Sequence, residues 1–484
     1  MKIPSEGLSK DAVLKSLEVA RVGDWPWRDG KLFAYVFDGG PQIEEVGKLA
    51  HAAYASENGL DPTTFPSLLR FENEVVDMAR RHLGGDEQVV GNFTSGGTES
   101  IILAVKTARD WFKAQRPEVE VPEMIVPMTA HAAFHKAGHY LGVKVITTAV
   151  NPATYEADAE AMRAAMNSNT MLLVASACSY AHGVVDPVVA IAALAERAGV
   201  LCHVDGCMGG FLLPYFRRLG QHVPDFDFRV PGVSSMSMDF HKYALCPKGA
   251  SVVLYKNEAL RKFQIYACSE WTGYTMINTT IQSSKSGGPL AAAWAVLQFV
   301  GDAGYLKLAG ELRRSRDELV EGVAAIPTLA VMGQPQMSLL AFTSDEVSIF
   351  AIADELQERG WRVQAQLGHG PSRENIHLTI APSNTKWTAD FLAALRASVE
   401  AVRGAGGGPK PPRDLAQVLA AQLEADTSGA SLQDLLSGLV GPGGAVPGKM
   451  ADINALLNEL PRHVQKKLLI AFVGKMFTPK SETC

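Results

Sequence analysis

From about residue 75 to 260 the chain alternates short, continuous apolar runs rich in β-branched residues with helix-like stretches. The runs are MIVPM (124–128), VKVITTAV (143–150), TMLLVASA (170–177), VLCHVD (200–205), VSSMSMD (233–239) and ASVVLY (250–255). Between most of them lie amphipathic segments such as TESIILAVKTARDWFKAQ (98–115) and DPVVAIAALAERAG (186–199). A strand that is apolar along its whole length must be covered on both faces. The alternation therefore predicts an α/β fold with a mostly parallel sheet between two helical layers.

A second, smaller α/β unit is expected after a long helix near 289–325, with strands at 337–344, 361–368 and 375–382 and helices at 347–359 and 387–403. The Gly/Pro-rich AGGGPKPPRD (404–413) reads as a linker. Three short amphipathic patterns follow it, ending in INALLNELPRHVQKKLLIAFVGKMF (453–477), and read as a helical subunit-contact element. The expected division is an N-terminal arm with helices (1–75), a large domain (76–300), a small α/β domain (301–403), the linker, and a helical extension (414–484).

Charge and apolar patterning exclude several kinds of partner. The 484 residues carry a net charge of −6 with no Lys/Arg block, so neither nucleic acid nor an anionic membrane surface is expected as a partner. No stretch reaches the roughly 18–20 consecutive apolar residues of a membrane span, and the charged start lacks the apolar core of a secretory signal. Six scattered cysteines (178, 202, 207, 246, 268, 484), with no CxxC pair, read as reduced structural thiols of a cytoplasmic protein.

Four local features carry chemistry. In GNFTSGGTES (91–100), Gly96 and Gly97 stand between hydroxyl residues at the start of an apolar helix. Glycines let an anion approach the backbone, helix-start N–H groups point at it, and Ser95 and Thr98 add donors. The same residues also fit a Gly-rich turn with an N-cap. Asp205 ends a buried run, where α/β sheets place ligands and where a carboxylate can hold a pyridinium nitrogen protonated. A strand-end Asp that caps the next turn reads the same way.

Lys242, in MSMDFHKYALCPKG (236–249), lies between two apolar runs. Imine formation would remove the cost of a buried ammonium, and imine exchange calls for a lysine of low pKa. A surface lysine on a loop is the plainer account. His241 beside it fits a general acid/base or a packed polar residue. His131, just after MIVPM, could stack on a flat heteroaromatic ring or take backbone hydrogen bonds at a helix start. His135 and His139 follow at helical spacing, but no carboxylate or cysteine completes a metal set, and no metal is expected. In this order the four features supply what a pyridoxal 5'-phosphate (PLP) site requires: a phosphate anchor, a stacking face, a nitrogen partner and a covalent handle.

From about 30 to 400 the sequence resembles the PLP enzymes that include sphingosine-1-phosphate lyase and are related to the glutamate-type decarboxylases. The resemblance rests on FPSLLRFENEVV (65–76), TSGGTESI (94–101), HAAFHKAGHYLG (131–142), HVDGCMGGFLLPYF (203–216), FDFRVPGVSSMSMDFHKYALCPKGASVVLY (226–255) and WTG (271–273). It is closer to the lyases, through GGFLLPYF, DFRVPGV and HKYALCPKG. It implies PLP fold type I (aspartate aminotransferase-like), with a mostly parallel seven-stranded sheet in the large domain and a smaller α/β domain after it. It also implies a homodimer with shared active sites and a small-molecule amine or amino-acid substrate.

Residue by residue, the resemblance makes Lys242 the imine lysine, Asp205 the partner of the ring nitrogen, His131 the stacking residue and Ser95, Gly96, Gly97 and Thr98 the phosphate loop. It brings His241 and Lys248 close to the reacting centre, Lys248 to bind the substrate's phosphate or to transfer a proton. His203 is a recurrent cofactor-side histidine. Ser284, in SSKSGG (283–288), falls in a stretch that reaches the partner subunit's cofactor phosphate, with Lys285 in place of an arginine.

Two departures bear on the substrate. Asp61 stands where the lyases have a histidine, and Phe37 where they have a tyrosine near the entry. A carboxylate about 4 Å from a phosphate repels it by roughly 1–4 kcal/mol, so the expected pocket of Asp61, Phe37 and Lys248 suits a cationic or hydroxyl-bearing substrate better than a phosphorylated one. The expected activity is PLP-dependent carbon–carbon cleavage at the α-carbon of an amino alcohol or amino acid. The alternatives are α-decarboxylation of an amino acid and a catalytically silent scaffold of the same fold.

Overall fold

The computed structural model describes residues 3–409, 417–418, 420–422 and 448–479. The large sheet has seven strands: β1 (Val90–Thr94), β2 (Glu123–Pro127), β3 (Lys144–Thr148), β4 (Thr170–Ser176), β5 (Leu201–Asp205), β6 (Ser235–Asp239) and β7 (Ser251–Tyr255). Their order is β1-β7-β6-β5-β4-β2-β3. Neighbours from β6 through β3 are parallel, and β7 is antiparallel to both β6 and β1. All six expected strands form, trimmed by a residue or two at most of their ends. β1 was not expected, because VGNFT is short and carries a glycine and an asparagine.

Helices among the described residues include α1 (Lys10–Ala20), α2 (Pro41–Ala53), α3 (Pro66–His82), α4 (Gly97–Gln115), α5 (Ala133–Leu141), α6 (Ala159–Ala165), α7 (Val188–Ala198), α8 (Leu213–Arg218), α9 (Glu258–Arg261), α10 (Gly287–Ala324), α11 (Ile349–Glu358), α12 (Thr388–Gly404), α13 (Ala451–Glu459) and α14 (Arg462–Met476). The central strands are buried along their whole length, as continuous apolar runs require. A two-stranded hairpin, β8 (Tyr266–Cys268) and β9 (Met276–Asn278), precedes α10.

α10 leaves helical geometry at Gly301, whose φ of +62° lies in the left-handed region that glycine tolerates. Beyond it stands an antiparallel four-stranded sheet in the order β10 (Leu329–Val331), β11 (Leu339–Ser344), β13 (Asn375–Thr379), β12 (Gln364–Gln366). The N-terminal segment is stitched onto this sheet: Phe33 N–H donates to Arg362 O (2.9 Å), and Thr379 N–H donates to Phe33 O (2.8 Å). The Phe33 ring is fully buried, 4.7 Å from the ring of Phe391.

Part of the expected linker (410–413) and much of the expected helical extension, including Cys484, lie outside the described residues. α13 and α14 dock on the small domain, where the Asp354 carboxylate accepts the N–H groups of Met450 and Ala451. Among the described residues no helix is long and apolar enough to cross a membrane, and the five described cysteines are free. Replacing Phe33 with Ala should cost about 3–5 kcal/mol, since it empties a filled aromatic site. Denaturant unfolding followed by tryptophan fluorescence reads this as a lowered midpoint.

Candidate active site

The carboxyl ends of β4, β5 and β6 deliver Ser176, Asp205 and Asp239 to one edge of the sheet. β2 ends nearby and leads to His131, and β1 ends at Thr94, just before the Ser95–Thr98 loop. Open α/β sheets bind ligands at this edge. It encloses a cavity of about 380 Å³ whose lining includes Ser95, Gly96, Gly97, Thr98, His131, Asp205, His241 and Lys242. The loop, the histidine, the strand-end carboxylate and the lysine thus open on one space. Ser176, Cys178, Tyr180, Cys207 and Asp239 line it as well.

Glu99, in the first turn of α4, fixes the loop before it: Oε2 accepts the Ser95 N–H (2.6 Å) and Oε1 the Ile281 N–H (2.8 Å). Its 19 residues begin at Gly97. A Cβ on Gly97 would stand 2.7 Å from Cys207 Sγ and 2.9 Å from both Asp239 oxygens, so no larger residue fits. Asp205 Oδ1 accepts the Cys207 N–H (3.0 Å) and the Ser237 hydroxyl (3.3 Å). His131 Nδ1 accepts the Ala133 N–H (3.2 Å), which leaves Nε2 as the protonated nitrogen.

The chain leaves β6 at Asp239, folds back, and re-enters the sheet as β7. Phe240 and His241 both donate their N–H groups to Ala250 O at 3.0 Å, which closes the loop that presents Lys242. Lys242 Nζ lies 3.0 Å from Asp239 Oδ2. Burial alone would lower the Lys242 pKa, but the Asp239 carboxylate outweighs it and raises the ammonium above the ordinary lysine value. This corrects the expectation of a low-pKa lysine: the amine is held charged by a buried partner three residues earlier.

Other expected residues stand elsewhere. His203 lies inside the sheet, fully buried, with Nδ1 2.9 Å from Ser235 Oγ and Nε2 3.3 Å from Ser237 Oγ. It does not line the cavity. Burial lowers its pKa to about 4, and as a neutral ring it is linked to Asp205 through the Ser237 hydroxyl. Asp61 and Ser284 do not line the Lys242 cavity of their own chain either.

Asp61 closes a turn, accepting the Thr63 N–H (2.8 Å) and hydroxyl (2.6 Å), and Thr63 and Thr64 hold its carboxyl below the usual range. It borders a second cavity of about 930 Å³, which Lys285 also lines. Lys285 Nζ donates to Glu72 Oε2 (2.9 Å) and Phe93 O (3.0 Å), and Ser284 is exposed.

Phe37 packs edge-on against Tyr243 (4.9 Å), and Lys248 Nζ sits 5.2 Å above its ring. Lys248 is an exposed residue, yet its ammonium is crowded by Tyr35 O (2.9 Å) and His241 O (3.4 Å). Desolvation, with repulsion from Lys242, lowers it to about 8. Asp239 escaped the sequence reading, although it ends its apolar run just as Asp205 does; the same strand-end argument applies to it.

A model described as the pyridoxal-dependent decarboxylase conserved domain matches residues 25–344. The chain belongs to this family. A second model, a putative helix-turn-helix domain at the C-terminus of pyridoxal-dependent enzymes, matches 381–475. Within the decarboxylase family the chain is 40% identical over 416 residues to a sphingosine-1-phosphate lyase of Arabidopsis thaliana, covering 84% of this chain and 75% of that one. It is 32% identical to a probable sphingosine-1-phosphate lyase of Legionella pneumophila, over 85% of this chain and 72% of that one.

The solved structure of a Burkholderia pseudomallei sphingosine-1-phosphate lyase superposes with a TM-score of 0.80 at 33% identity, covering 88% of this chain and 97% of that one. Lactobacillus brevis glutamate decarboxylase shares the fold at 16% identity, with a TM-score of 0.73 over 83% of this chain and 95% of that one. The protein is a PLP-dependent lyase of fold type I.

The residues present fit the cofactor. Gly97 in the cradle has no room for a Cβ, and Ser176 Oγ and Asp239 Oδ1 are buried without protein partners. Gly97→Ala should therefore weaken PLP retention by about tenfold or more, or about 1.4 kcal/mol, and lower thermal stability as well, because the Cβ presses on buried Cys207 and Asp239. Absorbance titration of the protein with PLP measures it.

Proposed function

We propose that the protein cleaves the Cα–Cβ bond of a β-hydroxy amine, releasing an aldehyde. The observation that carries this reading is the convergence of Lys242, Asp205, His131 and the Ser95–Thr98 loop on one 380 Å³ cavity. Lys242 would hold PLP covalently, Asp205 would keep a proton on its ring nitrogen, His131 would cover a ring face, and the glycine loop with the start of α4 would take the phosphate. When bound, PLP supplies an electron sink for the bond that breaks.

His203 and Ser237 hold Asp205 in place. His241 is a positioning residue in this reading: its Nδ1 accepts the Ala250 N–H (3.2 Å) and its Nε2 faces Asp239. The α-decarboxylase alternative uses the same sink, and the lyase names and higher identities of the relatives favour the first reading. Supplying β-hydroxy amines and amino acids to the holoenzyme and measuring aldehyde against CO₂ tests the choice. Dominant CO₂ release would overturn the lyase reading, and Lys242→Ala should lose both products and the bound-cofactor absorbance.

Lys248 has two possible tasks with opposite pH signatures. A proton acceptor must be neutral, so kcat/KM would rise as pH passes about 8. A cation for a substrate anion must be charged, so kcat/KM would fall over the same range. We favour the acceptor, because burial has already weakened the ammonium. Lys248→Met should abolish the rising limb and lower kcat by about 100-fold, measured as a pH–rate profile.

The substrate we infer lacks a phosphate handle. Asp61 replaces a histidine of the lyases and is held ionised by Thr63 and Thr64, and Phe37 has no hydroxyl. Asp61→His should raise the preference for phosphorylated over unphosphorylated long-chain amino alcohols by about tenfold or more. A wild-type enzyme that already prefers the phosphorylated form would overturn this.

Because Asp61 and Ser284 are apart from the Lys242 cavity of their own chain, we read the enzyme as a homodimer in which each protomer completes its partner's site. Mixing Lys242→Ala with Ser284→Trp protomers should restore activity that neither has alone. The helical tail reads as a subunit contact. The net charge of −6 argues against nucleic acid as its partner, and free buried cysteines fit a reducing, cytoplasmic setting.

A further inference from the structure

Asp239 is the least expected charge in the cavity. It ends β6, is 2% exposed, and its Oδ1 is buried with no hydrogen-bond partner. Its Oδ2 carries both contacts: Lys242 Nζ at 3.0 Å and His241 Nε2 at 3.5 Å. Because His241 Nδ1 accepts the Ala250 N–H, the proton of the neutral ring is on Nε2 and points at Asp239. Gly97 presses against the same carboxylate from α4. A buried carboxylate is costly unless paired; Lys242 and His241 face it from the segment after β6, and the Ser251 hydroxyl of β7 stands beside it.

We propose that Asp239 is a positioning residue for Lys242: its carboxylate fixes the direction of the lysine nitrogen and holds a proton on it, with His241 anchoring the carboxylate from the other side. The inference rests on the reading of Lys242 as the lysine that joins the cofactor. Other groups face the lysine too. Asp205 and Cys207 approach from the end of β5, and His241 and Lys248 lie on its own segment. Asp239 outranks the others because, among the described residues, it is the one that makes an ion pair with Nζ.

The balance at Asp239 supports this. Burial would raise its carboxyl, but the Lys242 charge, helped by the neighbouring His241 and Ser251, overcomes that and holds it below the usual range. Asp239 is thus an anion at neutral pH, where Lys242 carries its proton. An opposite charge this close moves the proton affinity of its neighbour by about 1–3 pH units. A carboxylate needed only for folding would leave the proton on the Lys242 nitrogen unaffected by its removal.

The experiment is an absorbance–pH titration of the PLP-loaded full chain, wild type against Asp239→Asn and Asp239→Glu. Wild type should keep one visible band between about pH 6 and 10, the span from ordinary histidine to ordinary lysine. Asp239→Asn should keep bound cofactor but titrate within that span, its midpoint lowered by about 1–3 units, and Asp239→Glu should recover part of the shift. An Asp239→Asn band that titrates as wild type does would overturn the proposal. If Asp239→Asn does not fold, the wild-type curve still decides, because a wild-type band that titrates inside the span also overturns it. Failure of the underlying reading looks different: Lys242→Ala would then retain the wild-type band.

Discussion

The pairing of Asp239 with Lys242 brings two opposite charges into a water-poor edge of the sheet, and the rest of the site is arranged around it. Neither charge is affordable there alone. The closed loop from 240 to 250, hydrogen-bonded to Ala250, holds the lysine within 3.0 Å of the carboxylate. Gly97 then has to be glycine, because the first turn of α4 lies against the same oxygens. An anion-binding helix start, a buried anion and a buried cation share a few ångströms, so each constrains the residues allowed at the others.

Around that pair the sheet acts as a registration device. β5 and β6 run in parallel register, with Asp205 opposite Ser237, so the Ser237 hydroxyl can reach Asp205 while His203 holds it from behind. The cavity exists because parallel strands end together at one edge and the connecting loops open outward there. Tyr243 ties this edge to the small domain through a 2.9 Å hydrogen bond from its hydroxyl to Ser338 O. The active-site loop is therefore braced by both sheets.

Legibility differed by residue, for physical reasons. The apolar runs announced their strands because burial on both faces leaves no room for polar alternation. The unexpected β1 is five residues long and lies at the edge of the sheet, where the pattern is weakest. By type and place in the sequence His203 suits a cofactor contact. It shares a face with Asp205, but it sits one step back from the carboxyl end of β5, where Ser235, Ser237 and Phe134 enclose it. The resemblance places Asp61 in the substrate pocket, whereas in its own chain it borders the second cavity; Ser284 lines neither cavity, in keeping with a stretch expected to reach the partner's cofactor.

The sequence by itself determined the fold class, the order of the chemical groups along the chain and the family, since all three reside in local pattern and motif. Tertiary structure alone decided the charge state of Lys242. Proton affinity depends on what stands within a few ångströms of a nitrogen in a low-dielectric setting. The lysine read as a low-pKa amine proves to be a charged one, because the fold turns the chain back and brings Asp239 to its side.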